Sequence, residues 1–198
     1  MQENLIKQLN NVEKLANYTK IQRLLHHPFK YIYAMCFREF IYPKTKQEKI
    51  VTAPLFYGDK MKIALPASMD IYLTGGKTHT SEIRLASFLL KNLEKGAQFL
   101  DIGGHFGYFT LLAAKAVGLK GKVYSYEPSE KSFNLLKLNT EKQKNVNCLN
   151  QAVSDKEGEI TFYQFPVIYS EYNSMDISQY ENEEWFQNLP PLNNNGGG

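Results

Sequence analysis

The stretch Phe99-Leu-Asp-Ile-Gly-Gly-His-Phe-Gly-Tyr-Phe-Thr-Leu111 decides the fold. It opens with a short apolar run, Phe99 to Ile102, broken by one acid, Asp101. Three glycines follow within five residues, Gly103, Gly104 and Gly107. Tyr108 to Val117 is then small and apolar enough for a helix packed on a sheet, and Gly118 closes it. That order predicts strand, glycine turn, helix. A strand that reverses into a helix within a few residues needs backbone angles that glycine reaches without steric cost. The helix start beside such a turn carries unpaired N–H groups and a partial positive charge.

The dinucleotide fingerprint wants glycines at its first, third and sixth positions. With Gly107 sixth and Gly104 third, Ile102 stands first, so the fingerprint fails and a nucleotide-dependent oxidoreductase is disfavoured. What stands here is Asp101-x-Gly103-x-x-x-Gly107. An acid beside the loop repels a pyrophosphate and suits a ligand carrying an ammonium or sulfonium charge. Lys122-Val-Tyr-Ser-Tyr-Glu-Pro128 reads as the next parallel strand and ends in Glu127, twenty residues beyond Gly107. A carboxylate at that strand tip can accept both hydroxyls of a ribose. Val146 to Val153 reads as a third strand, whose end at Ala152 and Val153 is expected beside an adenine.

Three motifs in order, FLDIGGHFGYFT, VYSYEPS and NQAVSDKEGEITFY, resemble the S-adenosylmethionine-dependent methyltransferases of the FkbM family, mostly O-methyltransferases. The resemblance covers about Asp70 to Asn173. It implies an α/β, Rossmann-like class I methyltransferase fold of parallel-sheet βαβ units, with S-adenosylmethionine as cofactor. The implied cofactor residues are Asp101, Gly103, Gly104, His105, Gly107, Tyr108, Glu127, Pro128, Ala152 and Val153. Glu82 joins them by resemblance, as an acid upstream of the loop that reaches the methionine ammonium; its alternative role is to complement a helix dipole from the first turn. His105 reads either as a base or as a loop residue facing the cofactor's carboxylate. The family commonly has Ala-Asn where this chain has Gly104-His105. Its second half carries a Lys-Ile-Asp-Val-Glu-Gly-like motif that is absent here, so the sequence reads as a truncated, cofactor-binding half, and no catalytic residue can be carried over. The acceptor implied is a small molecule or glycan; the other reading is a non-catalytic remnant that binds a cofactor or a partner.

The rest of the chain fits around this core. Its 198 residues suffice for one domain and an appendage, at 43% hydrophobic and 22% charged. A net charge of +3 does not argue for nucleic acid. Cys36 and Cys148 follow no metal or redox spacing, which fits a reducing cytoplasm. Residues 1–50 read as a helical, aromatic-rich extension, 51–173 as the cofactor-binding half-domain, and 174–198 as an acidic, low-complexity, poorly ordered tail. Within the extension, Phe29 to Tyr42 reads either as a helix packed on the domain or as an interfacial helix in peripheral contact with a membrane. Thr52 to Pro66 predicts a hairpin turning at Gly58-Asp59, and Asp70 to Gly76 a loop. Thr80 is expected to cap a helix over Ser81 to Leu93, Ser129 another running to about Glu141, and Glu159 to Tyr163 an accessory strand. Loss of the second half would leave the Asp101 strand as an exposed sheet edge open to self-association.

Overall fold

The computed structural model describes residues 2–158, 161–174 and 176–189. The N-terminal extension is helical. α1 (Gln2–Ala16) buries Leu5, Leu9 and Val12, at the spacing that puts them on one face. α2 (Lys20–His26) starts in a capping box between Thr19 and Gln22. α3 (Pro28–Cys36) begins with proline in its first turn, where the missing N–H costs nothing, and runs into a π-helical turn, Phe37–Ile41. The short α4 (Tyr42–Thr45) ends at a left-handed Lys46.

The expected hairpin is present as β1 (Lys49–Pro54) paired antiparallel with β2 (Lys60–Leu65). The loop expected over Asp70 to Gly76 is instead α5 (Met69–Thr74): Asp70 accepts from its neighbour's N–H at 2.7 Å, and Gly75 closes the helix with φ 77°. α6 (Thr80–Asn92) starts one residue earlier than expected, so Thr80 lies inside the helix and His79 flanks it.

The decisive stretch folds as β3 (Gln98–Ile102), a glycine turn and α7 (Tyr108–Val117), followed by β4 (Lys122–Tyr126), α8 (Glu130–Thr140) and β5 (Val146–Leu149). The three strands are parallel in the order β3-β4-β5, which makes the fold α/β and Rossmann-like. Ser129 accepts from the N–H of Ser132, the expected cap of α8. β5 is shorter than predicted and ends at Leu149, because Asn150 turns its amide back to the carbonyls of Glu127 and Pro128, at 2.8 and 3.1 Å. The accessory strand reduces to one antiparallel bridge between Tyr163 and Ser174, and Glu159 and Ile160 lie outside the described residues. A 3₁₀ segment, Val167–Tyr172, leads to another at Ser178–Tyr180 and to α9 (Glu184–Gln187), so residues 176–189 of the acidic tail carry short helices; 190–198 lie outside the described residues.

Two core clusters meet along α7, one shared with the extension and hairpin and a smaller one with β4. Leu111 and Leu112 of α7 lie in one cluster with Leu9, Met61, Ile63, Leu65 and Leu90, and Ala113, Ala114 and Val117 in the other with Val123 of β4. Tyr57 is fully buried and donates its hydroxyl to the carbonyl of Tyr108 at 2.9 Å, tying the hairpin to the start of α7. The aromatic stretch buries Ala34, Phe37 and Tyr42 in the domain and leaves Phe29, Ile32, Phe40 and Ile41 exposed. β3 is an edge strand of the described sheet, with Leu100 and Ile102 exposed. No described helix is long and apolar enough to cross a membrane.

Candidate cofactor site

Three consecutive N–H groups stitch the glycine turn to the tip of β4. Gly103 and Gly104 both donate to the carbonyl of Tyr126, at 2.8 and 3.0 Å, and His105 donates to a carboxylate oxygen of Glu127 at 2.8 Å. The other oxygen of Glu127 accepts from the N–H of Ser129 at 2.9 Å. The tips of β3 and β4 therefore share one crevice, with a carboxylate fixed between two backbone donors at its floor. Each of its oxygens keeps a lone pair for a further donor.

The turn satisfies its geometry with glycine at two places. Gly103 has φ 81°, and a Cβ there would meet nothing within 4 Å, so the backbone is left bare beside open space. Gly104 is different. A Cβ on it would come within 2.1 Å of Ser125 Oγ, so the serine of β4 leaves room here for glycine alone. His105 adopts φ 50°, a left-handed conformation uncommon for a residue with a Cβ.

Asp101 lies beneath the turn. Thr110 donates its hydroxyl to the carboxylate at 2.5 Å, and Ser125 lies 3.0 Å from Thr110 Oγ1. Burial pushes the carboxyl above the usual carboxylate range, and the two hydroxyls pull it back. Glu127 is also raised by burial, opposed by its two backbone donors and reinforced by the negative charge of Asp101. His105 is enclosed: its ring stacks on Phe106, Nε2 lies 3.0 Å from Ser170 Oγ, and burial with the nearby Lys77 charge lowers its pKa to about 3. The imidazole is neutral at physiological pH and presents no positive charge to a carboxylate. Burial raises the Tyr108 phenol well above its ordinary range.

A cavity of about 670 Å³ gathers nearly all the residues expected from sequence: Glu82, Asp101, Gly103, Gly104, His105, Tyr108, Glu127, Pro128 and Ala152 line it. Val153 lies instead on a wider opening of about 1190 Å³ that adjoins through Pro128, Ala152 and Phe162. Gly107 lines neither. It begins α7 with φ 96° and packs against Leu136, where a Cβ would stand 2.9 Å from a methyl group. Glu82 reaches the cavity with its carboxylate paired to Lys77 at 3.2 Å.

Sequence reading missed the residues that close the cavity. Lys77, 8% exposed, also pairs with Glu171, and Ser170 holds His105, so the 3₁₀ segment straps across the glycine turn. Tyr172 lines the cavity and stacks on Trp185, with ring centres 5.0 Å apart. Trp185 stacks in turn on Tyr169 at 4.7 Å. Thr110 and Ser125 had a sequence signal: each is a lone hydroxyl inside an apolar or aromatic run. The links from Lys77 to Glu171 and from Ser170 to His105 had none, since they span 94 and 65 residues.

Residues 101–189 match the Methyltransferase FkbM domain, which bears out the likeness drawn from the motifs and carries it past Asn173 to Leu189. A "Probable cobalt-precorrin-6B C(15)-methyltransferase (decarboxylating)" from Sulfurisphaera tokodaii is 41% identical over 63 residues, covering 32% of this chain and 33% of that protein. The corresponding protein of Saccharolobus solfataricus is 39% identical over 61 residues, 31% of each chain. The chain thus spans about a third of the length of the curated relatives it matches. Among solved structures, an S-adenosylmethionine-dependent O-methyltransferase of Thermotoga maritima overlaps 57% of this chain and 44% of its own, at 24% identity and a TM-score of 0.37, a partial superposition.

Proposed function

We propose that the chain holds the cofactor site of an S-adenosylmethionine-dependent methyltransferase that transfers the methyl group to an oxygen of a sugar, glycan or related natural product. The observation that carries this reading is the carboxylate of Glu127. It stands at the tip of β4, oriented by the N–H groups of His105 and Ser129, with lone pairs left for two vicinal hydroxyls. The residues present fit the cofactor. The cavity of about 670 Å³ has the size of a small-molecule site, and Gly103 leaves its backbone open to close approach. Bound there, the cofactor would supply an electrophilic methyl group.

The chain's own part is to position and enclose. Glu127 orients the ribose, and Asp101 places negative charge beneath the turn near a sulfonium or ammonium group. Pro128, Ala152 and Val153 flank the adenine in this reading. Lys77, Glu82 and Glu171 stand at the opposite wall, where they bind the 3₁₀ strap and limit entry of water. Tyr172, backed by Trp185, offers an aromatic face at the cavity, a surface suited to the apolar side of a sugar ring. An in-line geometry and the exclusion of water are what methyl transfer asks of the protein. Self-association through the β3 edge belongs to the same reading, and light scattering across concentrations tests it.

The experiment is calorimetric titration of S-adenosylmethionine, its demethylated product and a nicotinamide dinucleotide into wild type, Asp101→Ala and Glu127→Ala. The two methionine-derived ligands are expected to bind and the dinucleotide not. Loss of hydrogen bonds to a charged acceptor should cost about 1.5–3 kcal/mol in Glu127→Ala, roughly 10- to 150-fold in Kd. Equal affinity in all three proteins, or preference for the dinucleotide, removes the proposal.

A further inference from the structure

The helical extension carries an apolar ridge that the cofactor site does not use. α3 and the π-helical turn bury Ala34 and Phe37 on the inner side and present Phe29, Ile32, Tyr33 and Phe40 on the outer side, with Phe29 88% and Phe40 66% exposed. Their spacing of three, four and seven residues is that of one face of a continuous helix. α2 adds Ile21 and Leu25, one turn apart and 71% and 75% exposed. Large apolar side chains exposed singly need no explanation; seven of them within 21–41, counting Ile41, are a concentration that does.

The segment that carries it has an excess of positive charge. Thr19 to Lys49 holds seven Lys and Arg against two Glu, whereas the whole chain holds 23 against 20. Both acids are already engaged, Glu39 with Arg38 and Glu48 with Lys131. Lys30 is drawn inward, its ammonium over the Tyr72 ring and donating to the Tyr72 carbonyl, and Arg23 donates to the carbonyl of Ala16. Lys20, Lys44, Lys46 and Lys49 stay exposed around the ridge.

We infer that this ridge is a docking surface for an anionic lipid bilayer, with Phe29, Ile32 and Phe40 entering the headgroup region and Lys44 and Lys46 lying on the charged surface. An amphipathic helix with aromatic and aliphatic side chains on one side and lysines at its border gains affinity from both burial and attraction to acidic lipid. A second copy of the chain is the less favoured occupant, since two such surfaces would bring two excesses of positive charge together. The inference is independent of the methyl-transfer reading, because it is measured without cofactor.

The test is co-sedimentation of the 198-residue chain with vesicles of pure phosphatidylcholine and of phosphatidylcholine with phosphatidylglycerol. Binding is expected to the anionic vesicles at low salt and to fall steeply as salt rises. Lys44→Ser with Lys46→Ser should weaken it about fivefold per lysine. The triple variant Phe29→Ser, Ile32→Ser, Phe40→Ser should lose more than tenfold and keep the wild-type melting temperature, since these side chains are outside the core. Equal binding of wild type and both variants overturns the inference. So does a failure of wild type to sediment, above all if gel filtration shows a dimer that the triple variant dissolves, which would make a second copy the occupant.

Discussion

His105 should make this fold acid-sensitive by an amount that can be worked from its surroundings. Enclosed between Phe106 and Ser170 and facing the charge of Lys77, its imidazole resists protonation down to about 3, against an ordinary 6.5 in the unfolded chain. As pH falls below 6.5 the unfolded state takes up a proton that the folded state refuses, so stability is lost from there down to the folded pKa. The loss is about 2 kcal/mol by pH 5 and tends toward about 5 kcal/mol at the acid limit. Asp70, Asp101 and Glu127 act in the opposite sense. Their pKa values are raised by burial, so the folded state binds their protons first and gains stability as pH falls through the raised values. A comparison with one variant isolates the histidine. Asn tolerates the left-handed φ of 50° at this position, so His105→Asn keeps the turn and removes the titration. At pH 7 the variant should be less stable by about 1–2 kcal/mol, from the lost bond to Ser170 and the lost stacking. Between pH 7 and 5 that deficit should close by about 2 kcal/mol. Urea unfolding followed by the single tryptophan, Trp185, measures both differences. A deficit that stays constant from pH 7 to 5 would refute the argument that burial keeps this imidazole neutral.

Two further outcomes follow from the same region. Gly104→Ala should destabilise by about 1–3 kcal/mol through the collision with Ser125 Oγ, and Ser125→Ala should recover part of that loss; a double-mutant cycle in urea with no coupling between the two would remove the steric account. Lys77→Met should cost about 3 kcal/mol, because it leaves the Glu82 carboxylate uncompensated beside the buried Asp70, while Glu171, half-exposed, loses little; an unchanged unfolding midpoint would show that the ammonium does not hold the strap.

What the sequence made legible is what local chemistry dictates. The order of strand, glycine turn and helix around Asp101 and Gly107, the carboxylate at the end of the next strand, the hairpin turn at Gly58 and the cap at Ser129 each rest on a few neighbouring residues. The glycine pair makes Asp70 to Gly76 read as a loop, whereas Asp70 accepts from the N–H of Ile71 and Gly75 serves only to end a helix. The end of β5 depended on Asn150 reaching back to Glu127 and Pro128, a contact with no local signature. Long-range pairing hid the strap in the same way: nothing near Lys77 announces Glu171, and nothing near His105 announces Ser170. These distant contacts also change the chemistry of the legible residues. A glycine-rich turn suggests free N–H groups for a ligand, yet those of Gly103, Gly104 and His105 are already committed to Tyr126 and Glu127. The turn therefore contributes space, at Gly103, and rigidity. At the strand tips the polarity of the crevice comes from the carboxylates of Asp101 and Glu127, and the orientation of Glu127 comes from the turn itself. Loop and acid form one unit, so a substitution that loosens the turn should disturb the carboxylate as much as one made at Glu127.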